Sequence, residues 1–263
     1  MGTITSADGT VIDFDRYGQG PAVLFIGGAT QYRGIDPTTT EFARRLGESG
    51  FTAVDFDRRG RGGSGDTPPW SLDREVEDVA ALVADVGGPA SLYSSSSGAT
   101  VALAAVQAGV PVSSLVLYEP PFFAGVGHAE HLARLRELLA EGRLADAMRY
   151  NLTTVIGVPD AAVADMAGRP WWPAMTVVAP TLLHDLSAVH DIEVDPDWRG
   201  RWADVSVPVT VLSGDQTFPG LAAAADAVAA ALPDARRRVL EGQGHWPTPD
   251  AIVPVLVELL RRD

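Results

Sequence analysis

Four consecutive serines, Ser94-Ser95-Ser96-Ser97, followed by Gly98, place hydroxyl nucleophiles between an apolar run at residues 90–93 and a helical pattern at residues 99–106. Strand, tight turn and helix with a hydroxyl at the turn is the layout of a nucleophile elbow, in which the serine stands clear of the backbone and faces a substrate. The usual spelling is G-x-S-x-G, because the residues two before and two after the nucleophile crowd each other and must be small. Ser96 meets that condition, with Ser94 before it and Gly98 after it. Ser95 would put Tyr93 at the crowded position, whereas Ser97, between Ser95 and Ala99, stays open as an alternative. The competing reading is a serine-rich surface loop, and the apolar segments that would bury both its flanks argue against it.

The elements that must hold this turn are legible along the chain. Residues 3–17 alternate around Asp8-Gly9 and predict a hairpin, closed by a turn at Gly18-Gln19-Gly20-Pro21. Residues 22–26, 51–56, 112–118, 207–212 and 236–240 are short apolar or β-prone runs that predict strands, the continuous ones buried on both faces. Helical patterns fall at residues 40–49, 71–86, 221–232 and 250–260, the second opened by Ser71 as a cap with acidic residues behind it. Strands alternating with helices predict an α/β fold with a mostly parallel sheet covered on both faces. From about residue 122 to 203 the pattern changes to helices, at 131–141, 144–152 and 159–166, with no convincing strand. The expected organisation is therefore a core of residues 1–121 and 204–263 carrying an inserted helical lid, residues 122–203.

Composition narrows the function classes. The chain has 263 residues, 46% of them hydrophobic, enough for one large domain or a domain with an insertion. A net charge of −14 disfavours binding to nucleic-acid phosphates or acidic membrane surfaces. That charge outweighs the short Arg58-Arg59-Gly60-Arg61-Gly62-Gly63 stretch, which reads instead as a glycine-rich turn after a strand. With no cysteine, disulfides and thiol catalysis are excluded. No apolar run has the roughly 20 residues needed to span a bilayer, and the first residues lack a signal-peptide pattern. The expectation is a soluble, cytoplasmic protein acting on a neutral or apolar small molecule.

Taken in order, these pieces resemble the α/β-hydrolase fold over essentially the full length. The residues that carry the resemblance are the elbow at Ser94 to Gly98, the turn from Asp57 to Ser64, and Glu241-Gly242-Gln243-Gly244-His245, which is similar to the loop supplying the family's histidine. The resemblance implies that His245 is the general base for Ser96, since a serine hydroxyl is a poor nucleophile at neutral pH until an imidazole takes its proton. It also implies an oxyanion hole of two backbone N–H groups, from Ser97 after the nucleophile and from Ala29 in the Gly27-Gly28-Ala29 loop. The family often has a histidine where Gly27 stands, so the support of that loop is open.

Two carboxylates compete for the third place, which must accept a hydrogen bond from the imidazole and stabilise its cation. Many family members carry the acid three residues past a glycine after the strand at 207–212; here that position is Thr217, and Asp215 is the nearby acid. Glu119, at the end of the 112–118 strand, is the other, and its separation from Ser96 resembles that in haloalkane dehalogenases and in the fungal lactonases that open zearalenone. Those lactonases share a turn like Ser96-Ser97-Gly98-Ala99 and an acid followed by a nonpolar residue and proline, as in Glu119-Pro120-Pro121. The dehalogenases use an aspartate nucleophile, from which this chain departs. The resemblance favours Glu119.

His184-Asp185 and His190-Asp191-Glu193 invite a metal reading, but their spacing is not diagnostic and solvated polar groups explain them as well. His128 and His131 carry no partner signal, and the tryptophans at 171, 172, 198 and 202 suit either the wall of an apolar pocket or simple packing. The combined expectation is a serine hydrolase cleaving an ester or lactone of a bulky apolar molecule, with no cofactor and no metal. Carbon–carbon bond hydrolysis by the same residues and a non-catalytic small-molecule receptor on the same fold are the alternatives.

Overall fold

The apolar runs of the sequence become the strands of one sheet in the computed structural model, which describes residues 1–123 and 128–261. Residues 124–127 of the expected lid and the last two residues of the expected core lie outside the described residues. In chain order the first elements are β1 (Gly2–Thr5), β2 (Val11–Tyr17), β3 (Ala22–Ile26), α1 (Pro37–Glu48), β4 (Thr52–Phe56), α2 (Leu72–Asp85), β5 (Ala90–Ser95), α3 (Gly98–Gln107) and β6 (Val112–Tyr118). A helical segment follows, with α4 (Ala129–Ala140), α5 (Leu144–Tyr150), α6 (Asp160–Ala167), α7 (Trp172–Val177) and α8 (Leu182–Glu193). The chain then returns to β7 (Val209–Gly214), α9 (Pro219–Ala231), β8 (Arg236–Leu240) and α10 (Pro249–Leu260).

The eight strands lie in the order β1-β2-β4-β3-β5-β6-β7-β8. The β1–β2 hairpin and the β2–β4 pair are antiparallel, and every later pair is parallel. Side chains alternate across a strand, which is why β3 is apolar throughout. Val23 and Phe25 pack with Phe42 and Leu46 of α1 and with Ile252 and Leu256 of α10 on one face. Leu24 and Ile26 join Val79 and Leu82 of α2, Val101 of α3 and Val228 of α9 on the other. Each such side chain contributes about 1.5–3 kcal/mol on burial.

The strand order sets the position of the site. β3 sits between β4 and β5, so the chain leaves β3 in one direction and later returns on its other side. At such a reversal the loops after neighbouring parallel strands diverge and leave a crevice at the strands' carboxyl ends. The Gly27-Gly28-Ala29 loop and the Ser96 turn leave β3 and β5 at that crevice.

The helical segment between β6 and β7 contains no strand among its described residues. Its apolar cluster joins Leu132 and Leu135 of α4, Met148 of α5, Trp172 of α7 and Leu186 of α8, and Ala29, Ile35 and Phe218 pack against it. Three features differ from the sequence-based expectation. Helices α7 and α8 were not anticipated, because buried Asp185 and Glu193 interrupt the apolar stripe of α8. The helix expected over 144–152 ends at Tyr150 and continues as a π-helical turn, Asn151–Ile156, closed by Gly157 at φ 87°. Helix α1 begins three residues earlier than expected, because Asp36 caps it by accepting from Thr39 N and Pro37 suits its first turn.

Candidate active site

Ser96 occupies a left-handed conformation, φ 51°, directly after β5. Such a conformation is costly for a residue with a Cβ and persists only where its surroundings impose it. Here Ser96 N donates to Tyr118 O at 2.8 Å, and Ala99 N donates to Ser96 O at 3.0 Å, so the turn is clamped on both sides. A Cβ at Gly98 would lie 2.5 Å from Ile26 O, so glycine is required by the end of β3. Gly28 is equally close-packed: a Cβ there would come within 3.0 Å of Ser96 Cβ. The two glycines let the β3 loop and the elbow touch. Ser94, standing where glycine is usual, is fully buried, and its Oγ has no hydrogen-bond partner among the described residues.

Glu119 follows β6 with φ 50° and is fully buried. Its Oε1 accepts from Gly214 N at 2.9 Å, and its Oε2 accepts from Thr217 Oγ1 at 2.7 Å. Its Oε2 also lies 2.6 Å from His245 Nδ1. His245 sits in the loop between β8 and α10, and Tyr118 OH donates to Gly244 O beside it. Asp215 is exposed, and its Oδ1 accepts from Gly242 N at 2.7 Å, closing the turn that leads to the histidine loop. Glu119 is thus the carboxylate brought to His245, and Thr217, one of the positions weighed in the sequence, is one of its supports.

Ser96 and His245 line the same cavity, together with Ala29 and Ser97. Ser96 Oγ makes no hydrogen bond to the described residues, and the N–H groups of Ala29 and Ser97 donate to none of them. The cavity has two lobes, of about 230 Å³ and about 290 Å³. Ala29, Ser96, Asn151, Ile156 and His245 border both. The first lobe is walled by Leu182, Leu186, Val189 and Leu221, the second by Ile35, Leu152, Met175 and Trp246. Of the tryptophans noted between 171 and 202, Trp171 borders the second lobe. Trp172 is buried in the helical segment, and Trp198 and Trp202 are buried against the sheet-side core.

A buried charge cluster that sequence reasoning did not anticipate lies behind this wall. Arg58 donates to both oxygens of Glu75, at 2.6 and 2.7 Å, and to Asp185 Oδ1 at 2.7 Å. Arg61 donates to Asp185 Oδ2, and Ser97 Oγ donates to Asp185 Oδ1 at 2.8 Å. Burial disfavours ionisation of Asp185, but Arg58 and Arg61 outweigh it and hold the carboxyl below its usual range. Glu75 is lowered in the same way against its burial, chiefly by Arg58. The same guanidinia hold the β3 loop: Arg58 Nη1 donates to Gly27 O at 3.0 Å, and Arg61 Nη1 to Gly28 O at 2.6 Å. This supplies the support left open by the absence of a histidine at Gly27. The third arginine, Arg59, is buried against Asp78 and Asp8. The Asp57–Ser64 segment is therefore a set of buried ion pairs as well as a turn. Its signal in the sequence was the unusual density of arginine in a loop following a buried strand.

The histidine–acid pairs of the helical segment serve other contacts. His184 stacks on Trp70 with ring centres 4.8 Å apart, and burial lowers its pKa. His190 Nδ1 accepts from His128 N at 2.9 Å. His131 Nδ1 is 2.8 Å from Tyr150 OH. Among the described residues no three His, Asp or Glu side chains are grouped to hold a metal ion, and no helix is long and apolar enough to cross a membrane.

Comparison with known proteins bears on this arrangement. Residues 23–255 match the model of the alpha/beta hydrolase family. No curated protein matches the sequence. Among solved structures, an alpha/beta hydrolase from Sphaerobacter thermophilus is 41% identical, with a TM-score of 0.89 over 98% of this chain and 100% of that one. An esterase from Exiguobacterium antarcticum is similar at 19% identity and a TM-score of 0.74, covering 100% of this chain and 98% of that one. The enol-lactonase from Burkholderia xenovorans is similar at 18% identity and a TM-score of 0.69, covering 99% of this chain and 100% of that one. The last two show a shared fold alone. With an eight-stranded sheet in this order, a clamped serine turn and a family match over most of its length, the chain belongs to the alpha/beta hydrolase family.

Proposed function

We propose that the protein is a serine hydrolase that cleaves an ester or lactone bond of a bulky, apolar small molecule through an acyl-enzyme. The observation that carries this reading is the contact between His245 and buried Glu119 beside Ser96, where the two lobes of the cavity meet. A substrate with bulk on both sides of the scissile bond fits two apolar lobes joined at the nucleophile.

In this scheme Ser96 Oγ attacks the carbonyl carbon while His245 Nε2 takes its proton. Glu119 accepts from His245 Nδ1, fixing the tautomer that leaves Nε2 basic, and stabilises the imidazolium once formed. The N–H groups of Ala29 and Ser97 receive the developing oxyanion, which in a water-poor site is worth about 3–4 kcal/mol per donor. The C–O bond breaks, and His245 returns the proton to the leaving alkoxide. Water, deprotonated by His245, then attacks the acyl carbon and releases Ser96. Residues 122–203 act as the lid, because the Asn151–Ile156 turn borders both lobes and α8 walls the first. The acid at the end of β6 and the Ser96-Ser97-Gly98-Ala99 turn support a substrate class near that of the zearalenone-opening lactonases.

The test is hydrolysis of a panel of aryl esters and macrocyclic lactones by wild type and Ser96→Ala. The expected result is turnover of at least one bulky member, reduced on the order of 10⁴-fold or more by the substitution. Turnover by Ser96→Ala at near wild-type rate would contradict the scheme, as would an inert wild type.

A further inference from the structure

Gly28 and Ala29 share one peptide group, and its two ends face different partners. The carbonyl of Gly28 accepts from Arg61 Nη1 at 2.6 Å. The N–H of Ala29 donates to none of the described residues, and Ala29 borders both lobes of the cavity. The peptide is trans. In a planar trans peptide C=O and N–H point in opposite directions, so a partner that fixes the oxygen also fixes the aim of the hydrogen. A cation on the oxygen polarises the group as well and makes its N–H a stronger donor.

Arg61 is itself firmly held. Its side chain is 1% exposed and borders neither lobe, so it does not reach a substrate there. Nε donates to Thr181 Oγ1 at 3.1 Å, and Nη2 donates to Asp185 Oδ2, both from the helical segment. Asp185 borders the first lobe and accepts from Ser97 Oγ at 2.8 Å. Its carboxylate therefore lies close to the second oxyanion donor, Ser97 N, where unbalanced negative charge opposes an oxyanion. Arg58 and Arg61 balance Glu75 and Asp185. Without Arg61 this buried cluster keeps one excess negative charge, in surroundings where water screens it weakly.

We propose that Arg61 is a positioning residue for the oxyanion hole: its guanidinium aims and polarises the Gly28–Ala29 peptide and balances Asp185 beside Ser97. The inference rests on the hydrolase reading. It places control of the hole in a side chain that does not meet the substrate.

The experiment compares wild type with Arg61→Gln and Arg61→Met, which remove the cation, and with Arg61→Lys, which keeps one. Asp185 retains Arg58 and Ser97 in all three, so no carboxylate is orphaned. Tm is measured for each variant, and kinetics are taken well below it. Three quantities are read: kcat and KM on an aryl ester that wild type turns over; Ki for the matched trifluoromethyl ketone, whose adduct with Ser96 carries an oxyanion; and Kd for the matched methyl ketone, which stays unreacted. Arg61→Gln and Arg61→Met are expected to lower kcat about 10- to 100-fold with KM within about threefold, less than outright loss of a donor costs. The Ki should rise by a like factor while the methyl-ketone Kd stays within about twofold, because only the oxyanion form uses the hole. Arg61→Lys should recover at least about threefold in kcat over both. One folded charge-free variant suffices. A kcat within about threefold of wild type in such a variant would overturn the proposal, and so would a methyl-ketone Kd that weakens as much as the Ki. Failure of both charge-free variants to fold would show a structural role only and overturn it too. Turnover and adduct formation by wild type with the variants indifferent would leave the hydrolase reading standing. A wild type that turns over no ester and forms no adduct would remove that reading and the proposal with it.

Discussion

Glu119 Oε2 lies 2.6 Å from His245 Nδ1 and accepts from Thr217 Oγ1 at 2.7 Å, so one buried oxygen holds both the histidine and the residue at the position where many relatives carry the acid itself. The threonine hydroxyl orients the carboxylate. Glu119→Gln can turn an amide N–H toward Nδ1 and favour the wrong tautomer; the expected loss in kcat is about 10³–10⁴-fold. Asp215→Asn should stay within about threefold, and Thr217→Val, which leaves Gly214 N and His245 in place, should lose about tenfold or less. Steady-state rates on one aryl ester check all three.

Gly214 ties the acid to the histidine loop. Its N–H donates to Glu119 Oε1, and a Cβ at this position would lie 1.9 Å from Gln243 O, two residues before His245. Only backbone can give way there. Gly214→Ala should therefore displace the loop and lower kcat/KM by about 10²-fold, the cost of a misplacement on the order of 1 Å. Thermal unfolding measured alongside separates this from global loss of structure.

Asp185 joins the helical segment to the core through Arg58, Arg61 and Ser97. Asp185→Asn leaves Arg58 with Glu75 alone and takes from Arg61 its carboxylate partner, and removing one partner of a buried pair costs about 3–5 kcal/mol. Calorimetry should show Tm lower by roughly 10 °C. Activity should fall as well, because the carbonyls of Gly27 and Gly28 are held by the same arginines.

Asp55 introduces a pH dependence unrelated to the site. Burial pushes its carboxyl up to about 7, against the hydrogen bond from Thr40 Oγ1 at 2.7 Å. The folded chain keeps this proton to about pH 7 while the unfolded chain releases it near 3.8, so the contribution is complete below pH 3.8 and lost as pH rises to about 7. The loss is on the order of 4 kcal/mol. An asparagine side chain cannot ionise, so Asp55→Asn should gain stability relative to wild type as pH rises from about 4 to about 7, with the gain levelling off only once the folded carboxyl of the wild type is itself ionised. Urea unfolding across that range checks the sign.

The strands and the turn at Ser96 were legible because their signals are local: apolar runs of strand length, and small residues two positions either side of one serine. His245 and Glu119 were legible as residues at strand ends within a familiar order of elements. The support of the β3 loop was not legible, because Arg58 and Asp185 lie far apart in sequence and no local pattern announces their contact. Helix α8 was missed for the same reason: its buried Asp185 and Glu193 break the apolar stripe that periodicity detects, and they are buried because of partners on other elements.

In the proposed scheme Ser96 is activated by His245 and Glu119. The most direct measurement is labelling with a fluorophosphonate, followed by mass mapping of the modified peptide. Adduct on Ser96 in wild type, with the labelling rate reduced at least 10²-fold in His245→Ala and in Glu119→Gln, is the predicted result. An unlabelled Ser96, adduct on Ser95 or Ser97 instead, or a rate indifferent to both substitutions would contradict it.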